Sequence, residues 1–313
     1  MPEFSVIIPL FNKQKDIAAT LTSVFAQTFG DYEVIVINDG STDGSEPEVL
    51  QFDDVRLKYH KTENRGVSQA RNTGIEMADG KFVAFLDADD HWLPDHLETI
   101  YNLHIDFPEA GIIATNYKFI YPNGKTMNTN FGSLGPDFRG IVDNVFRHSL
   151  YNRLFWTSCV AVKKEAFEKT GTFDTSITLG AGEDTDMWIR IALKYPAAFT
   201  TKVTAHYNLG GSNRISHSHT LKRSFAKFDK FSKEEAANPH LKKYLDLYRA
   251  VYALAHKMAG DKEAAQFYIE GLDYRNISTT SAFLLKMPSF ALRVLFRLKQ
   301  GLKRLNIHID PYA

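Results

Sequence analysis

Short apolar runs alternate with longer segments in which apolar residues recur every three or four positions. Residues 4–9, 34–37 and 82–86 are rich in Val, Ile and Phe, and each run ends in polar or turn-forming residues. Strands buried on both faces of a parallel sheet have this character. Between them, Ile17, Leu21, Val24 and Phe25 fall on one helical face after Asp16, and residues 67–77 read as a second helix. Alternating strands and helices predict an α/β fold with a mostly parallel, Rossmann-like sheet.

From about Gly111 the pattern loosens into shorter strands and turns, with a hairpin turn at Tyr121-Pro122-Asn123-Gly124. A helix is predicted from Glu183 to about Lys194. Beyond about Ser216 strand signals fade, and helical stretches over 241–258 and 262–271 take over. The expected division is a catalytic domain over 1–215 and a helical region over 216–313, with no internal repeat.

Composition narrows the classes. With 313 residues, 44% hydrophobic and 13% aromatic, the chain can bury a large core. Lys+Arg and Asp+Glu are both 37, so no overall attraction to nucleic acid or to an anionic membrane follows, and nucleic acid is not an expected partner. Cys159 is the only cysteine, which excludes an intrachain disulfide and a cysteine zinc site and suits a reducing, cytoplasmic compartment. The apolar run at the N-terminus lacks a cationic lead-in and is too short for a signal peptide or a membrane span, so it is read as a first strand.

In open α/β sheets, ligands bind beyond the carboxyl ends of the strands. Three predicted strand ends carry Pro9-Leu10-Phe11-Asn12, Asn38-Asp39-Gly40 and Asp87-Ala88-Asp89-Asp90. Clustered Asp87, Asp89 and Asp90 would repel one another unless a cation neutralised them. All-oxygen ligation suits Mg²⁺ or Mn²⁺ completed by phosphate and water. On position alone the same aspartates also read as caps of the next helix, with Pro94 near its first turn.

The loop from Asn38 to Ser45 is a polar turn in which Asp39 could accept from a base or a ribose. The segment from Asn64 to Asn72 opens a helix with Gly66 and two arginines, where Arg71 could meet a diphosphate or form a surface ion pair. Glu183, Asp184 and Asp186 precede or open a helix. One of them could be a general base, Trp188 could offer a sugar an aromatic face, and the acids also suit the helix dipole.

Taken in order, these segments resemble the inverting glycosyltransferases of family 2, which have the GT-A fold. The resemblance covers roughly residues 4–215. It rests on Phe4 to Asn12, Asn38 to Asp43, Asn64-Arg65-Gly66 through Arg71-Asn72, Phe85-Leu86-Asp87-Ala88-Asp89-Asp90, Gly171-Thr172-Phe173-Asp174 and Glu183-Asp184. It implies a nucleoside diphosphate sugar donor, a UDP-sugar, and a glycan or lipid-linked acceptor of the kind used in bacterial surface polysaccharide synthesis. By the same resemblance Asp39 would contact the base, Asp87 the ribose and Asp89 the Mn²⁺ or Mg²⁺ ion, while Asp184 would be the catalytic base. Pro9, Phe11, Asn64, Gly66, Arg71 and Ala88 would complete the nucleotide site, and Glu183 and Trp188 would contact the acceptor or sugar. One departure stands out. Where the family often has Tyr-Arg-x-His, this chain has His206-Tyr207-Asn208-Leu209-Gly210-Gly211, leaving Arg214, His217 or His219 as substitutes toward the diphosphate.

A sugar nucleotidyltransferase would also cluster aspartates at strand ends, but the late Glu183-Asp184 block and the lack of a glycine-rich, lysine-bearing phosphate loop favour sugar transfer. A dinucleotide oxidoreductase lacks its Gly-x-Gly-x-x-Gly after the first strand. A non-catalytic GT-A-like binding module is the rival of another class, and retention of Asp39, Asp87, Asp89 and Asp184 together argues against it.

The last helix, over 290–305, sets Phe290, Val294, Leu295, Leu298, Leu302 and Leu305 against Arg293, Arg297, Lys299, Lys303 and Arg304. Leu292 and Phe296 intrude on the polar side. Peripheral membrane contact through 286–305, at the inner face of the cell membrane, and packing of this stripe against protein are both expectations of such a helix.

Overall fold

The computed structural model describes residues 1–213 and 218–304, so Arg214 and His217 lie outside the described residues. The chain divides into two compact units, Met1–Ser218 and the residues from His219 onward.

The first unit contains β1 (Phe4–Leu10), α1 (Ile17–Phe25), β2 (Tyr32–Asp39), α2 (Ser45–Leu50), β3 (Leu57–Thr62), α3 (Val67–Met77), β4 (Phe82–Phe85), β5 (His91–Trp92) and α4 (His96–Asp106). It continues through β6 (Ile112–Ile120), β7 (Thr126–Asn128), β8 (Arg139–Ile141), α5 (Val145–His148), β9 (Val160–Lys163), α6 (Ala166–Thr170), α7 (Glu183–Ala192) and β10 (Ala197–Asn208). The strands form one sheet in the order β3-β2-β1-β4-β9-β6-β10-β5, with β7 beside β6 and β8 beside β10. Most paired residues sit in parallel ladders, those of β2 with β1 and β3, β1 with β4, and β6 with β10. β9 runs antiparallel to both β4 and β6. This is the α/β, GT-A-like arrangement of a mostly parallel sheet flanked by helices.

From β1 the chain steps outward to β2 and β3, then returns to the other side of β1 as β4. The reversal of strand order opens a crevice beyond the ends of β1 and β4, where ligands of such sheets bind. The strands reach that crevice through a dry interior: Val6, Ile7, Ile8, Val34 to Ile37 and Val83 to Phe85 are fully buried. Their near-continuous apolar character matches burial on both faces.

β3 was not visible as an apolar run because it borders the sheet, and its side chains alternate between half-buried and exposed. The expectation of shorter strands after Gly111 is corrected by β10, a twelve-residue strand that pairs with β6, β8 and β5. Its polar Thr200-Thr201-Lys202 lies where the register with β6 shifts, and such irregularities break the alternation that marks a strand. The turn at Tyr121 closes the β6–β7 hairpin, with the Gly124 amide donating to the Tyr121 carbonyl at 2.9 Å.

The second unit is helical: α8 (Ser232–Ala237), α9 (Pro239–Ala259), α10 (Lys262–Glu270), α11 (Thr279–Lys286) and α12 (Ser289–Arg304). Asn238 caps α9 by accepting from the His240 and Leu241 amides, with Pro239 in the first turn, and Gly260 ends the helix in the left-handed conformation. Arg249 is buried against Asp246 and Glu235. Leu292, assigned from the sequence to the polar side of the last helix, is instead fully buried, whereas Phe290, Val294, Leu295 and Leu298 are exposed. The helix lies against α9, and contact with that neighbour, rather than the helix's own pattern, selects the buried side.

His96, at the start of α4, supplies a stability test within the first unit. It is fully buried, stacks on Trp92 with ring centroids 4.2 Å apart, and has Nδ1 2.7 Å from Thr204 Oγ1. Nε2 has no partner, and burial pushes the imidazole from its ordinary 6.5 down to about 3. Because the folded pKa is depressed, the unfolded chain takes up a proton first, so this contribution is present above 6.5 and is lost as pH falls toward 3. Urea unfolding should show His96 removing about 2 kcal/mol of stability between about pH 7 and pH 5. His96→Gln should flatten the profile by that amount; an equal slope in both proteins would mean that His96 is protonated in the fold.

Candidate active site

At the end of β4 the Leu86 amide donates to the Ile7 carbonyl, and the chain then turns, with the Asp90 amide donating to Asp87 O at 3.0 Å. α4 begins only at His96, after β5, so Asp87, Asp89 and Asp90 do not cap it.

The three carboxylates are satisfied differently. Asp90 is fully buried and accepts from Ser158 Oγ at 2.5 Å, Trp156 Nε1 at 3.3 Å and the Asn208 amide at 2.9 Å. Burial, then the charges of Asp89 and Asp87, raise its pKa well above the carboxylate range. Asp87 accepts from Arg71 Nη2 at 2.8 Å. Asp89, with its side chain 15% exposed, is 2.6 Å from Lys13 Nζ. Its pKa is raised by burial, against the opposing pull of Lys13.

Lys13 also donates to the Ser212 carbonyl. A Cβ on Gly211 would stand 2.1 Å from Asp89 Oδ2, so no residue other than glycine fits there without movement. The Ser212 amide donates to Asp16, and Asn213 Nδ2 to the Phe11 carbonyl. The segment that lacks the usual Tyr-Arg-x-His therefore still returns to the acid cluster, and a cation reaches Asp89 from Lys13, after β1. His219 is exposed and belongs to the second unit.

The donor set fits a hard divalent cation. Asp89 already holds one cation, Asp87 lies two residues away, and Mg²⁺ commonly takes one or two carboxylates and completes its shell with phosphate and water. Among the described residues no group of three His, Cys, Asp or Glu is poised to hold a metal.

Asp39, at the end of β2, is buried and accepts from the Arg65 and Gly66 amides, each at 2.8 Å. Burial raises its pKa and those amide bonds oppose the shift. Gly40, at φ 73°, packs so closely that a Cβ would lie 2.8 Å from the Asn64 amide nitrogen. The loops after β2 and β3 are thereby locked together, while Asn12 receives the Thr42 amide and donates its own to Ser41 Oγ. Asn64 is exposed, Pro9 and Gly66 are half-buried, Ala88 is buried, and Phe11 is 36% exposed at the mouth of the crevice.

Arg71, expected at the nucleotide, is buried as a strut. Its guanidinium, 4% exposed, bridges Asp87 Oδ1 at 2.8 Å and Glu183 Oε1 at 3.2 Å, over the ring of Phe173. Glu183 is consequently buried too, with its carboxyl pKa raised first by burial and then by Asp184. Trp188 is likewise withdrawn: it packs on Phe85 and Phe173 at 5.7 and 5.6 Å, with its indole in the core. Asp186 is paired with Arg190.

Asp184, in α7's first turn, is half-buried, its side chain 17% exposed. One oxygen accepts from Arg153 Nη1 at 2.8 Å and the other from the Thr185 amide. Arg153 lies over Trp156 at 5.6 Å, and Trp156 packs on Tyr207 with centroids 4.0 Å apart. The sequence reading did not single out Lys13, Arg153 or Trp156, which the structure brings against Asp89, Asp184 and Asp90. The only signal was a cation just past the first strand end and an Arg-x-x-Trp spacing inside an irregular segment.

The sequence model of the family described as "Glycosyl transferase family 2" matches residues 5–171. The UDP-Glc:alpha-D-GlcNAc-diphosphoundecaprenol beta-1,3-glucosyltransferase WfgD of Escherichia coli is 35% identical over 127 residues, 40% of this chain and 47% of that protein. Glycosyltransferase GlyA of Streptococcus pneumoniae is 32% identical over 158 residues, 50% of this chain and 22% of that protein. The chain thus spans less than half the length of these curated relatives. The crystal structure of Staphylococcus aureus TarS 1–349 superimposes with a TM-score of 0.57 at 20% identity, over 87% of this chain and 93% of that one. Its complex with UDP-GlcNAc gives 0.59 at 17% identity over the same shares. The structural likeness bears on the fold alone, but the family match takes in more than half of the 313 residues, and the chain belongs to glycosyl transferase family 2.

Proposed function

We propose that the chain moves a monosaccharide from a UDP-sugar to a hydroxyl of a glycan or lipid-linked acceptor, with inversion at the anomeric carbon. The observation that carries this reading is the Arg71 bridge between Asp87 and Glu183. It joins the acid cluster at the end of β4 to the residue beside Asp184, so a donor-binding end and a base lie in one connected framework. UDP is favoured because WfgD is named for UDP-Glc and the TarS neighbour is described with UDP-GlcNAc. A lipid-linked acceptor is favoured by WfgD's diphosphoundecaprenol substrate, which would place the work at the inner face of the cell membrane. No helix among the described residues is long and apolar enough to cross a membrane.

In this reading Asp39 steadies the loop that receives the base, Asp87 takes the ribose, and Pro9, Phe11, Asn64, Gly66 and Ala88 line the nucleotide. Asp89, released from Lys13, would hold Mn²⁺ or Mg²⁺, whose chemistry is to offset the charge of the departing diphosphate. Asp184 removes the proton from the acceptor hydroxyl. As the acceptor oxygen bonds to the anomeric carbon, the bond from that carbon to the diphosphate breaks, and its electron pair leaves with UDP. Arg153 holds Asp184 in position and is itself steadied over the half-buried Trp156.

Three outcomes test the reading. Asp184→Asn should lower turnover at least ~100-fold while leaving donor affinity intact; near-normal turnover would remove Asp184 from the mechanism. Arg153→Met should lower kcat by about 10–100-fold with little change in the donor KM, and Arg153→Lys should recover part of the loss. In thermal denaturation, UDP or its sugar at ~100 times its dissociation constant should add about 2.7 kcal/mol, a shift of several degrees. EDTA or Asp89→Asn should abolish most of that shift, and no shift with any nucleotide would favour a non-catalytic binding module.

A further inference from the structure

We propose that α12 is a surface anchor that lies in the interface of an anionic lipid bilayer. Leu292 is the residue that holds the helix down: it is fully buried, and the helix lies against α9. Phe290, Val294 and Leu298 follow one another at four-residue steps and so form a row along one side. They are 67%, 52% and 60% exposed, with Leu295 beside them at 43%. A row of large apolar side chains left in water along one side of a helix marks a contact surface.

Charge identifies what covers it. Between Asp273 and Asp310 the sequence contains no acidic residue and seven lysines and arginines, five of them from Arg293 to Arg304. A second copy presenting the same face would bring like charges together, whereas an anionic bilayer would attract them while its acyl boundary took up the apolar row. No helix among the described residues can span a membrane, so the helix would lie along the surface. The inference does not depend on the catalytic reading, and loss of glycosyl transfer would leave it standing.

The test is co-sedimentation of the full chain with vesicles of phosphatidylcholine alone or mixed with phosphatidylglycerol. Binding should be at least ~10-fold tighter to the anionic vesicles and should weaken steeply with salt. The double variant V294D/L298D changes only exposed side chains, so it should keep the wild-type melting temperature and lose vesicle binding at least ~10-fold, while Arg293→Ser should weaken it about fivefold. Absence of binding to anionic vesicles, or equal binding by V294D/L298D, would overturn the proposal. So would a concentration-dependent dimer, without lipid, that the double variant dissolves.

Discussion

Three carboxylates follow β4 within four residues, at the end of a strand whose side chains are wholly buried. Burying an unpartnered carboxylate costs several kcal/mol, so the chain must bring donors to each, and much of the first unit is organised by where those donors come from. Asp87 draws Arg71 from α3, which in turn fixes Glu183 at the head of α7. Asp90 draws Ser158 and Trp156 from before β9 and the backbone of Asn208 from β10. Asp89 draws Lys13 from the loop after β1. Strands and helices distant in sequence meet at one short acidic turn.

The three solutions differ in kind, and that difference makes a site. Arg71 and Glu183 are both buried, with Asp87 half-exposed at the other end of the bridge, and a buried pair is costly to break, so the bridge acts as framework. Neutral donors hold Asp90 and anchor the sheet. Lys13 is a single flexible ammonium on a long stem, shared with a backbone carbonyl of the segment that crosses the site. An ammonium is a compact charge that a stronger cation can replace, whereas a guanidinium locked between two carboxylates is not readily exchanged.

The strand ends that carry Asp39, Asp87 and Asp89 were readable because buried parallel strands write themselves as unbroken apolar runs, and the residues just past such runs stand at the crevice. The first helix of the Glu183-Asp184 block was readable for a similar local reason. Arg71, Glu183 and Trp188 turn inward, which polarity or an aromatic ring in a helix's first turns does not reveal. Their directions were settled by neighbours more than ten residues away: Asp87 for Arg71, and Phe85 and Phe173 for Trp188. Arg153 and Trp156 were hidden in a segment with no periodicity to place them.

The last helix shows the same division. Its amphipathic period and lack of acid are properties of the sequence, and they follow from side-chain spacing on a 3.6-residue turn. Which side of it would be buried did not follow, because two apolar groupings compete and only the packing that buries Leu292 chooses between them. By itself the sequence determined the alternation of strands and helices, the position of the acidic turn at a strand end, and the family to which these belong. The tertiary structure decided which acid pairs with Arg71, which is held by neutral donors and which meets Lys13, because a carboxylate's partners come from segments that the chain's linear order keeps far apart.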